Sequence, residues 1–457
     1  LGERAAGYSS LLLVLLLTPF AFIAKASALP AAAGGLALIA SVPTLSLLYL
    51  LGRRLGPERP PVWSLAAPLL LSLYPGYLWC TSAAIETQLV TFLVTLGAVL
   101  YLLQPSGWWW PLALAAAALA RTDAVVFLLA TVIYDMAGSR QRPLGSLMKR
   151  CVPAVVLIGA RCAWAAIYHD GILSSAFIAS GGFGLSLTRL SRGAYYVGAF
   201  LAQLGGVTLF VIPLSVALRG FTRPMAYGCV LIAAGLLSVA YVGGDPLPAH
   251  RLAAVTAPML FLLLQEGGIA ISQRVTAGER RGATAVNIVL VLAFVLAYPL
   301  PYVRREMGVR REMAALAERS QASARLARFV ARDPGASVAI FGAGRVGWAS
   351  GAPVIDLSGR CNRAVADEGA DAAVDVLKHK PDYIVLTARP PRPDGAASSD
   401  PLWPIEQRIE QSPEFRQHYA YVKSFAFATA RDRQLVLYRR QEDVGSEQNA
   451  GDAGGQE

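Results

Sequence analysis

An acid, a histidine and an arginine occur close together in the stretch VGGDPLPAHR, as Asp245, His250 and Arg251. An arginine and a histidine can hold a phosphate, the arginine through its forked donors, and a nearby carboxylate can bind sugar hydroxyls, a metal ion or a proton. Two glycines allow close backbone approach and two prolines stiffen the stretch. The pattern predicts either a ligand site or a solvated loop with a structural Asp–Arg pair, and the stretch alone does not favour one over the other.

Three more ionisable residues stand at the ends of apolar segments. Glu86 begins one in SAAIETQLV, and Arg121 and Asp123 separate two others. Ionisable groups at membrane depth usually face the protein interior or a water-filled cavity, so these residues are candidates to line a site. Alternatively, Glu86 is a carboxylate at a helix start and Arg121–Asp123 a structural ion pair.

The composition indicates a membrane protein that crosses the bilayer several times. The 457 residues are 55% hydrophobic and 16% charged, and the mean hydropathy is +0.47. The net charge of +11 lies mainly in short loops, where it indicates topology and argues against nucleic-acid binding. Spanning a bilayer takes about 20 apolar residues. The predicted spans are 33–51, 62–80, 85–103, 151–168, 195–218, 224–242, 251–272 and 284–302.

The basic loops predict how the segments are oriented. Arg and Lys are concentrated in 52–60, 137–150, 218–224 and 273–282, which the positive-inside rule places in the cytoplasm. Segment 108–136 must then enter and return as two short helices that meet near Arg121. The leucine run from Leu11 is too short to span and should dip into the outer leaflet. Three linkers then face outward together: GERAAGYSS, 168–196 and 242–251.

Beyond the last span, the composition turns soluble. Residues 1–303 form the predicted membrane domain, 304–441 a small extracytoplasmic α/β domain, and 442–457 a disordered tail. Within the α/β domain, patterning predicts helices and strands in alternation. The helices are 306–332 and 365–379, and the strands are 337–342, 353–357, 383–387, 419–426 and 433–440.

The stretch GAGRVG, with Gly342, Gly344 and Gly347, matches the dinucleotide fingerprint G-x-G-x-x-G after a strand. That fingerprint needs a helix after its glycines and a parallel partner strand beyond it. Only WASGA separates Gly347 from the next predicted strand. The expectation is therefore a turn-forming glycine cluster without a helix.

Several stretches, taken in order, resemble one family. GERAAGYSSLL resembles the G-E-x-V-E-G-Y-T-S segment of GT-C fold glycosyltransferases, integral-membrane enzymes that use polyprenyl-phosphate sugars. SAAIETQL is similar to their G-M-E-T-x-L, AALARTDAVVFLL to L-x-R-P-D/E-G, and VGGDPLPAHRLAAVTAP to G-G-D-x-x-x-x-R-x-x-x-P-x-x-P. GAGRVGWASGAPVIDLSG and KPDYIVL resemble their extracytoplasmic domain. Relatives of the terminal arabinofuranosyltransferases are the most similar members.

The resemblance implies a fold and an activity. The fold is a GT-C-like domain of about ten membrane helices, followed by the α/β domain. The activity is transfer of a sugar, such as a pentose, from a polyprenyl-phosphate donor to an envelope glycan or glycolipid at the outer face of a bacterial plasma membrane. Asp245 is the implied catalytic contact to sugar or metal, His250, Arg251 and Arg4 hold the phosphate, and the cavity is lined by Tyr8, Glu86, Arg121 and Asp123. Cationic groups or a divalent metal ion would offset the phosphate charge.

Two departures from the family's motifs and two alternative functions accompany this interpretation. The family's catalytic base lies in an Asp-Asp-x-Tyr stretch that would precede Leu1, so the chain is either a clipped enzyme or a non-catalytic relative. The family's Y-Y-G-x-x-x-P-N-T motif is matched only by YHDGILSSAFIAS (168–180). A transporter is the alternative of another class, although internal repeats typical of transporters are not evident.

Overall fold

The computed structural model describes most of the chain, and its internal contacts divide it into two compact units. One comprises residues 1–8, 165–183 and 310–457, and the other 9–164 and 184–309. The predicted domain boundaries at 303 and 441 stay predictions, and the tail 442–457 lies outside the described residues. The described residues are 7–8, 10–23, 28–56, 60–138, 144–169, 184, 186–204, 209–245, 247–275, 283–297, 300–362, 365, 372–389, 401–427 and 433–441.

The chain is mostly helical. Three of the described helices are long and apolar enough to cross a membrane: α2 (Leu29–Leu55), α8 (Leu144–His169) and α11 (Arg223–Val242). A fourth candidate is the bent pair formed by α4 (Pro75–Ser82) and α5 (Thr87–Leu103). The helices up to residue 330 are α1 (Leu11–Ile23), α2 (Leu29–Leu55), α3 (Ala66–Leu73), α4 (Pro75–Ser82), α5 (Thr87–Leu103), α6 (Trp109–Ala120), α7 (Val125–Gly138), α8 (Leu144–His169), α9 (Leu187–Gln203), α10 (Val211–Arg219), α11 (Arg223–Val242), α12 (Arg251–Ala254), α13 (Ala257–Val275), α14 (Ala283–Ala297) and α15 (Leu300–Val330).

Several predicted spans are interrupted in the structure. The predicted span 62–80 is a 3-10 turn (Pro61–Leu65) followed by α3 and α4, because Pro75 forces extended backbone at Tyr74. The predicted span 195–218 is two helices, α9 and α10. The prediction of two short helices meeting at Arg121 is confirmed by α6 and α7. A count of ten membrane helices stays a prediction, and the coarser description of a helical membrane-type unit is what the structure supports.

Small residues let the helices of this unit approach closely. A side-chain carbon at Gly97 of α5 would lie 2.6 Å from Leu114 of α6, so these helices touch where the glycine has no side chain. At Gly268 of α13, a side-chain carbon would overlap the ring of Trp63, whose indole nitrogen donates to Asn287 over 2.7 Å. Helices in membranes associate through close packing around small residues. The hydrophobic effect does not drive this association, because lipid tails are as apolar as the helix surfaces.

The other unit contains a five-stranded mixed sheet with the order β2-β1-β3-β5-β4. β1, β2 and β3 are parallel, and β5 is antiparallel to both β3 and β4. Neighbouring residues of β3 point to opposite faces of the sheet and enter two separate hydrophobic cores: Ile384 belongs to one core and Val385 to the other. Helices therefore cover both faces of the sheet. The strands are β1 (Val338–Ile340), β2 (Val354–Asp356), β3 (Tyr383–Ala388), β4 (Tyr419–Ala426) and β5 (Gln434–Arg440); the remaining helices are α16 (Gly344–Ser350), α17 (Ala372–Lys378), α18 (Pro404–Gln411) and α19 (Pro413–His418).

The expectation that no helix follows the GAGRVG glycines is wrong. α16 begins within the motif at Gly344, and β1 and β2, on either side of it, pair in parallel. A carbon added at Gly347 would lie 2.9 Å from Val354, so this glycine brings the helix against the strand. The connection is short because the helix uses the glycines themselves instead of starting after them. α16 has only seven residues, and Gly347 is the glycine of this helix whose missing side chain lets the helix pack on β2.

Candidate functional site

The ionisable residues singled out in the sequence lie where helices of the membrane-type unit are broken. α4 and α5 meet at a bend of 119°, and Glu86 is the residue before α5. α6 and α7 are separated by Arg121 and a 3-10 turn that contains Asp123. A third break, between α11 and α13, contains Asp245 and Arg251. Broken helices expose backbone and polar side chains inside an otherwise apolar unit, which is a common way to build a membrane-level site.

The break after α11 is shaped by backbone that few side chains tolerate. Gly243 and Gly244 have φ angles of +90° and +78°. A carbon added at Gly243 would lie 2.6 Å from Arg189, and one added at Gly244 would lie 2.8 Å from the ring of Tyr196. Both glycines are therefore required by conformation and by space.

The same loop holds two residues other than glycine in left-handed backbone. Ala249 has φ +64° and His250 has φ +50°. Such conformations cost on the order of 1–3 kcal/mol each and persist where the surroundings enforce them, often at functional sites. Ala249 is buried against Trp79 and Cys80 of α4, so packing holds the strained segment beside the α4–α5 bend.

Arg251 joins two of these breaks. Its Nε pairs with Asp245 in the same loop, and its Nη1 donates to Glu86 Oε1 over 3.3 Å. Asp245 also accepts the backbone N–H of Leu247 at 3.2 Å. All three side chains are largely buried, where an ion pair is screened less than at a surface. The structure thus brings Glu86 to two predicted site residues, Asp245 and Arg251, that are far from it in sequence.

Arg121 and Asp123 form the second ion pair of the site. Arg121 donates through Nε and Nη2 to the two carboxylate oxygens of Asp123, over 2.7 Å and 3.0 Å. The guanidinium also interacts electrostatically with Glu86 and Asp245, which pair with Arg251, so all five predicted residues belong to one charge cluster. The cluster of Glu86, Arg121, Asp123, Asp245 and Arg251 is named the charged recess below.

One donor of the charged recess is left over. The Arg121 side chain is 9% exposed, and its Nη1 is buried without a hydrogen-bond partner among the residues that the structure describes. A buried charged N–H without a partner is costly, and an acceptor on a ligand would relieve that cost. The Nη1 donor of Arg121 is therefore available to an oxygen acceptor that enters the recess.

His250 lies beside the charged recess and contacts α9. Its Nδ1 lies 2.7 Å from Gln203 Oε1, and its ring meets that of Tyr196 edge-on, with centroids 4.8 Å apart. Burial lowers the pKa of His250 below its ordinary value of 6.5, so the ring is neutral at pH 7. The hydroxyl of Tyr196 accepts the backbone N–H of Leu252 at 3.4 Å, which ties α9 to the start of α12.

Gln203 and Tyr196 were not predicted as site residues. They occur in the amphipathic stretch LTRLSRGAYYVGAFLAQ, where Tyr196, Phe200 and Gln203 follow an i, i+4, i+7 spacing on one helix face. That spacing is the signal that could have found them. Its meaning depends on what the face touches, which the sequence does not reveal.

Two predicted site residues fall outside this cluster or outside the described chain. Tyr8 belongs to the other compact unit, where its hydroxyl lies 3.2 Å from His169 Nε2. Arg4 lies outside the described residues, and so do most residues of the 168–196 linker.

A divalent metal ion does not fit the charged recess as it is arranged. Within the described part of the chain, no group of three His, Cys, Asp or Glu side chains could hold a metal. Asp245 and Glu86 are the available carboxylates closest to Arg251, and both are engaged with its guanidinium.

Comparison with known proteins covers only the C-terminal part of the chain. Residues 311–438 match the family described as Domain of unknown function (DUF8728). No curated protein and no solved structure matches the chain. The matched region contains most of the mixed sheet and does not include the charged recess.

Proposed function

We propose that the protein is a membrane glycosyltransferase that moves a sugar from a polyprenyl-phosphate donor to a glycan or glycolipid of the cell envelope. The observation that carries the proposal is the charged recess, with two arginines, three carboxylates and a buried Arg121 Nη1 that has no partner among the described residues. A phosphate-linked sugar offers both an anionic group for the arginines and hydroxyls for the carboxylates.

The lipid part of such a donor suits the surroundings of the recess. The same unit contains the helices long and apolar enough to cross a membrane, and a polyprenyl chain is as apolar as lipid. We place the reaction at the outer face of a bacterial plasma membrane, because the basic loops predict that the 242–251 linker faces outward. The resemblance to GT-C glycosyltransferases supports the same site and favours a pentose such as arabinofuranose.

In the proposed reaction, the acceptor hydroxyl gives its proton to a general base, its oxygen bonds to the anomeric carbon, and the bond from that carbon to the phosphate oxygen breaks. The polyprenyl phosphate leaves with the electron pair. Arg251 and Arg121 stabilise the negative charge that grows on the phosphate, because fixed charges in a largely buried site act without reorganisation. Asp245 and Glu86 orient Arg251, and Asp245 contacts sugar hydroxyls when the donor displaces part of the ion pair.

A transporter for a lipid or glycan is the second candidate. The bend of 119° between α4 and α5 favours it, since transporters often place binding sites at broken helices. The two candidates differ in outcome, because a transferase joins donor sugar to acceptor whereas a transporter moves an unchanged solute.

The test is an assay of transfer in membranes that contain the chain. Radiolabelled polyprenyl-phosphate pentoses and hexoses are supplied with envelope glycolipid acceptors, and labelled product is separated from donor. We expect labelled product from wild type and a loss of about 100-fold or more in Asp245→Asn and Arg251→Gln, the size typical of removing a transition-state charge contact.

The matched control is Asp135→Asn. Asp135 is a buried acid of the same unit whose carboxylate accepts from Tyr101 at 3.1 Å and pairs with Arg150 at 3.4 Å, away from the charged recess in sequence and contacts. Like the test variants, Asp135→Asn breaks a buried ion pair. Its rate of sugar transfer per folded molecule should nevertheless equal that of the wild type. Transfer by none of the donors, or equal transfer by wild type and Arg251→Gln, contradicts the proposal. Movement of intact labelled donor across vesicles without product would favour the transporter.

A further inference from the structure

The loop that carries His250 runs along α9. Arg192 of α9 donates to the Gly243 carbonyl over 3.0 Å, the ring of Tyr196 packs on Gly244, and Gln203 contacts His250. Residues 192 to 203 cover about 16 Å at 1.5 Å per helical residue. Arg192, Tyr196 and Gln203 lie on one face of α9, and that face contacts the loop at Gly243, Gly244 and His250.

The imidazole of His250 is enclosed by that face. Tyr196 meets the ring edge-on, Phe200 lies with its centroid 6.3 Å away, and Gln203 reaches Nδ1. Gln203 is 7% exposed, so its amide is committed to the protein interior. The left-handed φ of +50° at His250 shows that the backbone accepts an unfavourable conformation to hold the ring there.

The contact with Gln203 decides which ring nitrogen carries the hydrogen. In the structure Gln203 presents its amide oxygen, Oε1, to Nδ1. An amide oxygen accepts hydrogen bonds and does not donate them, so this arrangement assigns the hydrogen to Nδ1. Nε2 of a neutral ring then presents a lone pair, and it has no protein partner in the described part of the chain. A lone pair cannot donate to phosphate, which argues against the phosphate-binding role that the sequence predicts for His250.

We propose that Gln203 is a positioning residue that holds His250 as the Nδ1–H tautomer, with Nε2 as the proton acceptor for the sugar-accepting hydroxyl. The catalytic part of this inference rests on the proposed function. His250 precedes Arg251 directly, so its backbone adjoins that of a residue of the charged recess, with Cα atoms about 3.8 Å apart. The base role requires that a donor held at the recess bring the sugar-accepting hydroxyl to Nε2.

The proton balance of the step is complete. Nε2 takes the hydroxyl proton while the hydroxyl oxygen bonds to the anomeric carbon and the phosphate departs with its electron pair. The imidazolium then gives the proton to solvent or to the departed phosphate, and the neutral Nδ1–H ring is restored.

Few other ionisable groups face this imidazole. Tyr196 is the titratable residue that α9 turns toward it, and Cys80 of α4 packs against the neighbouring Ala249. Asp245 and Arg251 of its own loop are paired with each other. The neutral state that burial favours suits a base, and the rate should fall as the pH drops through the lowered pKa of His250 and the ring is protonated.

The first test needs no substrate. The chain has four histidines, so the full protein labelled with ¹⁵N-histidine in nanodiscs should give four imidazole signal sets, and His250→Gln identifies one by its loss. At pH 7.5 we expect the His250 set to show hydrogen on Nδ1 and none on Nε2. Gln203→Met should shift the ring to a mixture of tautomers, whereas the control Gln265→Met, which alters a buried amide of α13 that accepts from Ala67 N–H, should not.

The second test is the pH profile of sugar transfer. His250→Gln should lower the rate by about 100-fold or more. Gln203→Glu places a carboxylate beside Nδ1, which stabilises the imidazolium and should move the acidic limb of the profile to higher pH. A merely structural role for Gln203 would lower the amount of folded protein and leave the position of that limb unchanged.

The outcomes separate this inference from the proposed function. Hydrogen on Nε2 of wild-type His250 overturns it whether or not the protein transfers sugar. Active transfer with an unchanged rate in His250→Gln, or an unmoved acidic limb in Gln203→Glu, also overturns the base role while sparing the proposed function. Absence of transfer by wild type overturns the proposed function and the base role together, and the tautomer is still decided by the labelled histidine.

Discussion

Replacement of Glu406 by glutamine should remove a large pH dependence from the stability of the sheet unit. Glu406 is fully buried at the first turn of α18. Its carboxylate accepts the backbone N–H of Thr387, at the end of β3, over 3.0 Å and that of Trp403 over 3.4 Å. Burial raises the pKa of Glu406 from 4.5 to about 7, and the two N–H donors offset only part of that rise.

The sign follows from the raised pKa. Because the folded state holds the proton more tightly than the unfolded chain, stability is greatest below pH 4.5 and is lost as the pH rises through 7. For pKa values of 4.5 and about 7, the loss between pH 5 and pH 8 is about 2.5 kcal/mol at 1.36 kcal/mol per pKa unit. Glutamine keeps the shape and one acceptor oxygen but cannot ionise, so Glu406→Gln should show little of this slope.

Hydrogen–deuterium exchange of the full protein measures the effect locally. The peptide that covers β3 and α18 is followed at pH 5 and pH 8, and the intrinsic exchange rate at each pH is divided out. Wild-type protection should fall by roughly 70-fold between the two conditions, the equivalent of about 2.5 kcal/mol. The control Glu414→Gln changes an exposed carboxylate on the next helix and should keep the wild-type slope. Equal slopes in wild type and Glu406→Gln, or protection that rises with pH, would refute the reasoning.

Three further substitutions test the packing and the loop geometry. Gly97→Ala should lower stability in detergent by about 1–3 kcal/mol, because the added carbon meets Leu114 at 2.6 Å; Gly159→Ala, with open space around it, should not, and an equal thermal shift in both would contradict the close contact. Gly244→Ala should cost about 1–3 kcal/mol through its φ of +78°, seen as a lower apparent Tm, and an unchanged Tm would argue against the left-handed turn. Asp356→Ala leaves the N–H groups of Ser358 and Cys361 without their carboxylate and should cost about 2 kcal/mol, detected as faster proteolysis after β2; unchanged cleavage would count against that contact.

Much of the local structure could be predicted from the sequence. Hydropathy predicts the long helices α2, α8 and α11, and alternating patterns predict the strands of the sheet within a few residues. These features follow from short-range periodicity, which is written in consecutive residues. The prediction for the GAGRVG stretch is wrong because it assumes that a helix can start only after the last glycine. In the structure, the helix starts within the motif, at Gly344.

The site required the tertiary structure. The sequence identified Glu86, Arg121, Asp245 and Arg251 as candidates because ionisable groups are rare at membrane depth. It could not show that Arg251 joins Glu86 and Asp245, or that one nitrogen of Arg121 is left without a described partner. It also missed Gln203, because a buried amide has no sequence signal until the packing of α9 against the 243–250 loop brings it to His250. Residue type and spacing determine which groups are available for chemistry, whereas helix packing decides which of them meet.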